Sequence, residues 1–172
     1  MPKITPFLWF DGRVGEVVDF YTSLFGDSAV LDTTRYPEGS PGPAGEVMIA
    51  TFRLGGQEFM ALNGGPQFEF TPAISFFVSC EGQDEVDHLW DRLVEGGSPG
   101  QCGWLVDRFG LSWQIVPTAL GQLMGDPDPE RAGRVMHAML AMTKIEIAGL
   151  RDAYEGTQGE TVTSTDRQVT VK

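Results

Sequence analysis

The stretch Glu16-Val17-Val18-Asp19-Phe20-Tyr21-Thr22-Ser23-Leu24-Phe25 returns 69 residues later as Glu85-Val86-Asp87-His88-Leu89-Trp90-Asp91-Arg92-Leu93-Val94. Glu and Val recur in place, and large apolar positions fall on one another: Phe20 on Leu89, Tyr21 on Trp90, Leu24 on Leu93. Spacings of three and four put these side chains on one face, so both stretches predict an amphipathic helix. A repeat of this kind points to a duplicated unit, and the flanking sequence is read in pairs.

Upstream, Ile4 to Phe10 is an apolar run containing Pro6, which predicts a strand near an edge. The same shift sets Pro6-Phe7-Leu8 on Ser75-Phe76-Phe77, inside the second apolar run, Ala73 to Cys80. Asp11-Gly12 ends the first strand, and Gly26 reads as the C-cap of the first helix. Downstream, Ala29 to Tyr36 and Val47 to Leu54 read as strands around a Pro/Gly loop, Pro37 to Gly45. Gly55-Gly56 then turns into a strand from Glu58 to Leu62. In the second copy the helix stops at Gly96-Gly97. Trp104 to Val106 follows, and Phe109-Gly110 turns into the strand Leu111 to Val116. Here a shift of 54 sets Gly56 on Gly110, Phe59 on Trp113, Met60 on Gln114 and Leu62 on Val116. The two shifts, 69 and 54, leave the second unit 15 residues shorter in its middle.

Past Pro117 the pattern changes. Asp126-Pro127-Asp128-Pro129-Glu130 is a helix start, with proline and acids in the first turn. Val135, Met136, Met139 and Leu140 form an apolar stripe expected to pack on the duplicated unit or on a second subunit. Thr143-Lys144-Ile145-Glu146 reads as a capping box for a helix ending near Tyr154. The expected fold is α+β: a βαβββ module at 1–65, a shorter one at 66–118, a helical segment at 119–155 and a flexible tail at 156–172.

Composition narrows the function. The chain has 172 residues, with 12 Lys and Arg against 24 Asp and Glu, a formal net charge of −12. Nucleic acid and anionic membrane surfaces, which attract clustered Lys and Arg, are not expected partners. No run of about 18 apolar residues provides a membrane span, and Met1 to Pro6 lacks the apolar core of a signal peptide. Cys80 and Cys102 are too few for a disulfide framework and match no zinc spacing, so they read as free thiols in a reducing cytoplasm.

Two tandem βαβββ units resemble the vicinal oxygen chelate superfamily, the glyoxalase/bleomycin-resistance/dioxygenase fold. Within it the chain is similar to the PhnB-like family that carries the label 3-demethylubiquinone-9 3-methyltransferase. The resemblance rests on Thr5-Pro6-Phe7-Leu8-Trp9-Phe10-Asp11-Gly12, Phe20-Tyr21, Leu24-Phe25-Gly26 and Gly55 to Asn63 in the first half. In the second half it rests on Ile74 to Val78, Glu95-Gly96-Gly97, Gln101 to Asp107 and Phe109 to Pro117, with Val135 to Met139 beyond. It implies two curled sheets enclosing a cavity, in a homodimer.

Metal-dependent members of the superfamily place one ligand on the first and one on the last strand of each unit. Those positions fall here at Thr5 or Pro6, Met60, Ile74 or Ser75, and Gln114. One amide and one hydroxyl are a poor set for a divalent cation, and Glu58 alone does not restore a site, so no metal is expected. His88 and His137 lie on predicted helices. None of the glycine clusters opens a helix after a strand as S-adenosylmethionine enzymes of the common type require, so no cofactor is expected either. Asp11, Glu16, Asp84 and Asp107 read as caps and turn formers.

What remains is a cavity for a small, aromatic organic ligand. Its expected lining is Trp9, Glu58, Met60, Ser75, Trp104 and Gln114. Alternation puts Gln114 toward the cavity and Trp113 in the packing layer, while Phe7, Phe59, Phe76 and Phe77 read as core. Pro37 to Gly45 is the expected lid. Whether the chain is an enzyme stays open. One rival reading is an enzyme of this superfamily acting on an aromatic or quinone-like compound, positioned by Gln114, Ser75 and Glu58. Another is a structural subunit whose Met-rich helix serves a partner.

Overall fold

The duplicated stretches are helices, α1 (Val14–Leu24) and α2 (Gln83–Val94), and each packs on a four-stranded mixed sheet. The computed structural model describes residues 2–157, so the tail expected at 156–172 lies outside it beyond Thr157. The first sheet contains β1 (Phe7–Phe10), β2 (Ala29–Arg35), β3 (Val47–Leu54) and β4 (Gln57–Asn63), in the order β1-β4-β3-β2. The second contains β5 (Ser75–Cys80), β6 (Ser98–Pro99), β7 (Trp104–Val106) and β8 (Ser112–Pro117), in the matching order β5-β8-β7-β6. In each sheet the first and last strands pair in parallel and the rest antiparallel. This is the tandem α+β architecture that the repeat predicts. The shortening of the second unit is shared by β6, two residues where β2 has seven, by β7, three where β3 has eight, and by the loop between them, four residues where the first unit has eleven.

Strand register corrects the pairing of the first strands. Phe7 sits beside Met60 and Phe77 beside Gln114. Since Met60 answers to Gln114, Phe7 answers to Phe77, a shift of 70 rather than 69. The extra residue lies between β1 and α1, where Asp11-Gly12-Arg13 stands opposite Glu81-Gly82. Gly12 and Arg13 both take left-handed backbone there, at φ 78° and 61°. A side chain in that region costs about 1 kcal/mol. Two bonds fasten the turn: the Gly12 N–H donates to Asn63 Oδ1 at 2.9 Å, and the Arg13 guanidinium pairs with Glu16 at 2.6 Å.

Two element ends also differ from expectation. β1 starts only at Phe7 because Pro6 has no N–H to give the ladder, although its carbonyl still accepts the Met60 N–H at 2.9 Å. α1 ends on Phe25 in extended backbone rather than on a left-handed Gly26. The Phe25 ring leaves the helix to stack on Trp113, centroids 5.7 Å apart.

The helix-covered faces of both sheets merge into one core. Leu8, Phe10, Ala50, Phe52, Phe59 and Ala61 come from the first sheet, and Leu105, Trp113 and Ile115 from the second. Aromatic contacts cross between the units: Tyr21 meets Trp113 edge-on at 5.3 Å, and Phe59 meets Phe76 at 5.0 Å. Such pairs contribute roughly 0.5–1.5 kcal/mol each beyond their burial.

A second cluster is formed by α3 (Thr118–Met124), α4 (Pro129–Leu140) and α5 (Ile147–Glu155), around Leu120, Val135, Ile145 and Leu150. Asp128 caps α4 as the helix-start signal indicates, its carboxylate accepting the Glu130 N–H at 2.9 Å. Val135 and Met139 of the stripe pack here, whereas Met136 and Leu140 stay exposed. The Thr143 capping box does not form. Gln83 of α2 instead accepts the Ile147 N–H at 2.8 Å and donates to the Ile145 carbonyl at 3.2 Å.

Candidate functional site

Strand alternation sorts each sheet into a helix-covered face and an open one. On the first sheet the open face carries Phe7 and Trp9 of β1, Glu58, Met60 and Leu62 of β4, and Thr51 and Arg53 of β3. On the second it carries Ser75 and Phe77 of β5, Trp104 of β7 and Gln114 of β8. All six expected cavity residues therefore lie on open faces. They form two groups, one per sheet: Trp9, Glu58 and Met60 on the first, and Ser75, Trp104 and Gln114 on the second. Among the described residues no hydrogen bond or ring contact joins one group to the other. Within one chain the sheets share a core through their helix-covered faces, so they do not enclose the cavity between their open ones.

The second group is the better assembled. Gln114 Nε2 donates to Ser75 Oγ at 2.8 Å. Gln114 stands in register between Phe77 on one side and Trp104 on the other. Trp113, its neighbour in sequence, is 2% exposed and faces the core, as alternation requires.

In the first group Trp9 is an anchor for the linker. Its indole N–H donates to the Gly65 carbonyl at 2.8 Å, its ring meets Phe68 edge-on at 5.0 Å, and the Cα of Gly64 lies against it too closely for any Cβ. Arg53 is the register partner of Glu58 and holds Asp27 at 3.2 Å. Its Nε is buried and has no hydrogen-bond partner among the described residues.

Phe7 and Phe77, read as core from the sequence, are 50% and 58% exposed. Core and open face alternate along a strand, and an apolar run alone does not reveal the phase. Phe59 and Phe76 do belong to the core or pack against it. Together with Arg53, Phe7 and Phe77 are the residues that the cavity reading missed. The strand pairing of Phe77 with Gln114 would have exposed the error, and it becomes legible once the repeat is aligned at 70. The Pro37–Gly45 loop closes on Tyr36, whose hydroxyl donates to the Asn63 carbonyl, and its end at Gly45 borders a groove at the start of α1.

The residues at the superfamily's metal positions do not suit a divalent cation. They are a thioether, an amide, a hydroxyl and positions at or before the strand starts. The Arg53 guanidinium beside Glu58 opposes a further positive charge. Among the described residues no three His, Cys, Asp or Glu side chains are placed to hold a metal. S-adenosylmethionine fits no better: of the strand-to-helix junctions among the described residues, Asp11-Gly12-Arg13 and Glu81-Gly82 carry one glycine each, Pro117–Thr118 carries none, and no glycine-rich loop is formed.

Of the acids weighed from the sequence, Asp107 has the most elaborate surroundings. It is 2% exposed and accepts from Tyr21 Oη at 2.6 Å, Trp113 Nε1 at 2.8 Å and the N–H groups of Phe109 and Leu111. Burial, then the neighbouring carboxylate, pushes the Tyr21 phenol well above its ordinary pKa. This network lies in the core and joins the two modules, so it is structural. Glu16 is taken up by Arg13.

The 3-demethylubiquinone-9 3-methyltransferase family model matches residues 2–116. Among solved structures, the PhnB protein of Bacillus cereus is 40% identical, with a TM-score of 0.65 over 68% of this chain and 100% of that one. Protein PA1353 of Pseudomonas aeruginosa is 24% identical, with a TM-score of 0.56 over 68% of this chain and 98% of its own. A glyoxylase/bleomycin resistance protein/dioxygenase domain from Frankia sp. EAN1pec is 16% identical, with a TM-score of 0.43 over 66% and 94%. No curated protein shows significant similarity to the chain. No helix among the described residues is long and apolar enough to cross a membrane.

Proposed function

The chain belongs to the 3-demethylubiquinone-9 3-methyltransferase family, and from that premise we propose that it binds a small aromatic molecule on its open sheet faces, without a metal, as a homodimer. The family's name describes an activity for which the described residues offer no fitting cofactor site, so the reading rests on the faces themselves. One observation carries it. Phe7 and Phe77, equivalent in the repeat, are both exposed on open faces, beside Met60 and Gln114 respectively. Large apolar side chains kept uncovered at matching positions of two units mark a surface that something apolar covers.

A second copy completes the enclosure, setting the first sheet of one protomer against the second sheet of its partner. Trp9, Glu58 and Met60 then face the partner's Ser75, Trp104 and Gln114 across one cavity. Apolar and aromatic walls with a few polar groups suit sequestration of a planar organic compound. Two free thiols fit a cytoplasmic home.

Titrating protein purified without chelator with neutral bicyclic aromatics tests the reading. Saturable binding that quenches tryptophan fluorescence is expected, together with loss of affinity of about tenfold or more in Met60→Lys, which places a charge on the face. No binding across the series, or near-stoichiometric transition metal by elemental analysis, overturns it.

A further inference from the structure

We propose that Gln114 and Ser75 read one polar edge of the ligand, so that the class bound is a planar ring carrying a hydrogen-bond donor and acceptor side by side, as in a cyclic amide. The proposal deepens the binding reading above and rests on it. A glutamine amide offers two N–H donors and a carbonyl acceptor, and a serine hydroxyl offers one donor and accepts. The 2.8 Å bond from Gln114 Nε2 to Ser75 Oγ uses one N–H, and neither side chain makes another hydrogen bond within the described residues. One amide N–H, the amide carbonyl and the serine O–H are left over. With the amide turned over, the serine O–H would serve the carbonyl, and both N–H groups and the serine lone pairs would remain. Either orientation presents donor and acceptor together.

The surroundings orient what this pair can hold. Phe77 and Trp104 are register neighbours of Gln114 on adjacent strands. They stand about 10 Å apart with the amide between them, two strand spacings across the sheet. A flat ring above Gln114 has an aromatic wall on each side and the amide beneath its edge. The serine bond fixes the side chain, and a planar amide meeting a matching donor–acceptor edge forms two bonds at once, the geometry by which glutamine recognises adenine. A ring without that edge displaces water from the amide and returns nothing, which costs affinity.

The probes are 2-quinolone, whose N–H and C=O lie side by side, and 2-methoxyquinoline, which keeps the rings and lacks the donor. Titration calorimetry on the full chain is expected to show 2-quinolone binding about tenfold or more tightly. Gln114→Leu should abolish that preference while leaving 2-methoxyquinoline within about twofold, and Ser75→Ala should reduce it partway. Unchanged melting temperatures of the two variants show that they are folded. Equal affinity of the two probes in the unsubstituted protein, or a preference that survives Gln114→Leu, overturns this inference and leaves the binding reading standing. Failure of both probes and of every other aromatic overturns the two together.

Discussion

At the scale of single residues, the strongest polar commitment in the molecule is structural. Asp107 takes four hydrogen bonds in the core, and Tyr21 reaches it from the other module. Tyr21→Phe removes one of the two donors to Asp107 Oδ2, a charge-assisted bond in the core, and leaves Trp113 Nε1 as the other. The expected cost is about 1–3 kcal/mol, read from urea unfolding. The same phenol makes stability depend on alkaline pH. Its folded pKa is raised above the ordinary value of 10.0, so the folded state holds the proton more tightly than the unfolded chain. That contribution is whole below about pH 10 and is lost as pH climbs toward the folded value. Cys80, pushed up by burial from 9.0 to about 12, behaves in the same sense, its contribution falling from about pH 9 upward. Unfolding midpoints at about pH 8 and about pH 10.5 should therefore differ less in Tyr21→Phe than in the unsubstituted protein, with the Cys80 share of the fall remaining. An identical fall in both proteins would deny Tyr21 this role.

At the scale of elements, the contact between α2 and the C-terminal helices gives a sharp case. Gln83, the first residue of α2, accepts the first N–H of α5 and donates to the Ile145 carbonyl, while Lys144 bridges to Asp87 at 2.7 Å. Gln83→Ala should cost about 1–2 kcal/mol and speed hydrogen exchange at Ile147 and along α5, while the amides of β8 keep their protection. Exchange unchanged in α5 would show that the cap carries no energy. This cap lies 64 residues from the amide it serves, which explains why the local Thr143-to-Glu146 pattern misleads. Helices α1, α2 and α4 and most strands were legible because periodicity and turn residues act within one element. α3 was not, since two turns interrupted by Gly121 gain their stability from Leu120 and its neighbours in the second cluster. For the candidate site, alternation places Gln114 and Trp113 on opposite faces, as found. Ser75 and Phe76 of β5 also lie on the faces expected of them, and Phe77, two residues from Ser75, shares its open face; its apolar side chain alone makes it read as core.

At the scale of the whole molecule, the proposed homodimer needs a contact surface, and the two outer strands offer one. β1 and β5 are the outer strands of their sheets, so each presents unpaired backbone groups along one edge. Beside those edges stand equivalent residues, Ile4 with Ile74 at 83% and 71% exposed, and Phe7 with Phe77. In the homodimer proposed above, a two-fold axis would bring the β1 side of one protomer to the β5 side of the other, with the same contact occurring twice. Light scattering should then give about twice the 18.8 kDa chain mass at micromolar concentration. Each copy also brings a net charge of −12, so the copies repel, and association should tighten as salt rises. Phe77→Asp places a carboxylate in both halves of the contact with a single substitution. The exposed position imposes little cost on the isolated fold, so circular dichroism should be unchanged while the mass falls to that of one chain. Phe7→Asp should do the same from the other side, because the two residues hold corresponding places. A monomer before substitution, or a dimer that tolerates both changes, would mean that the second copy does not cover these faces.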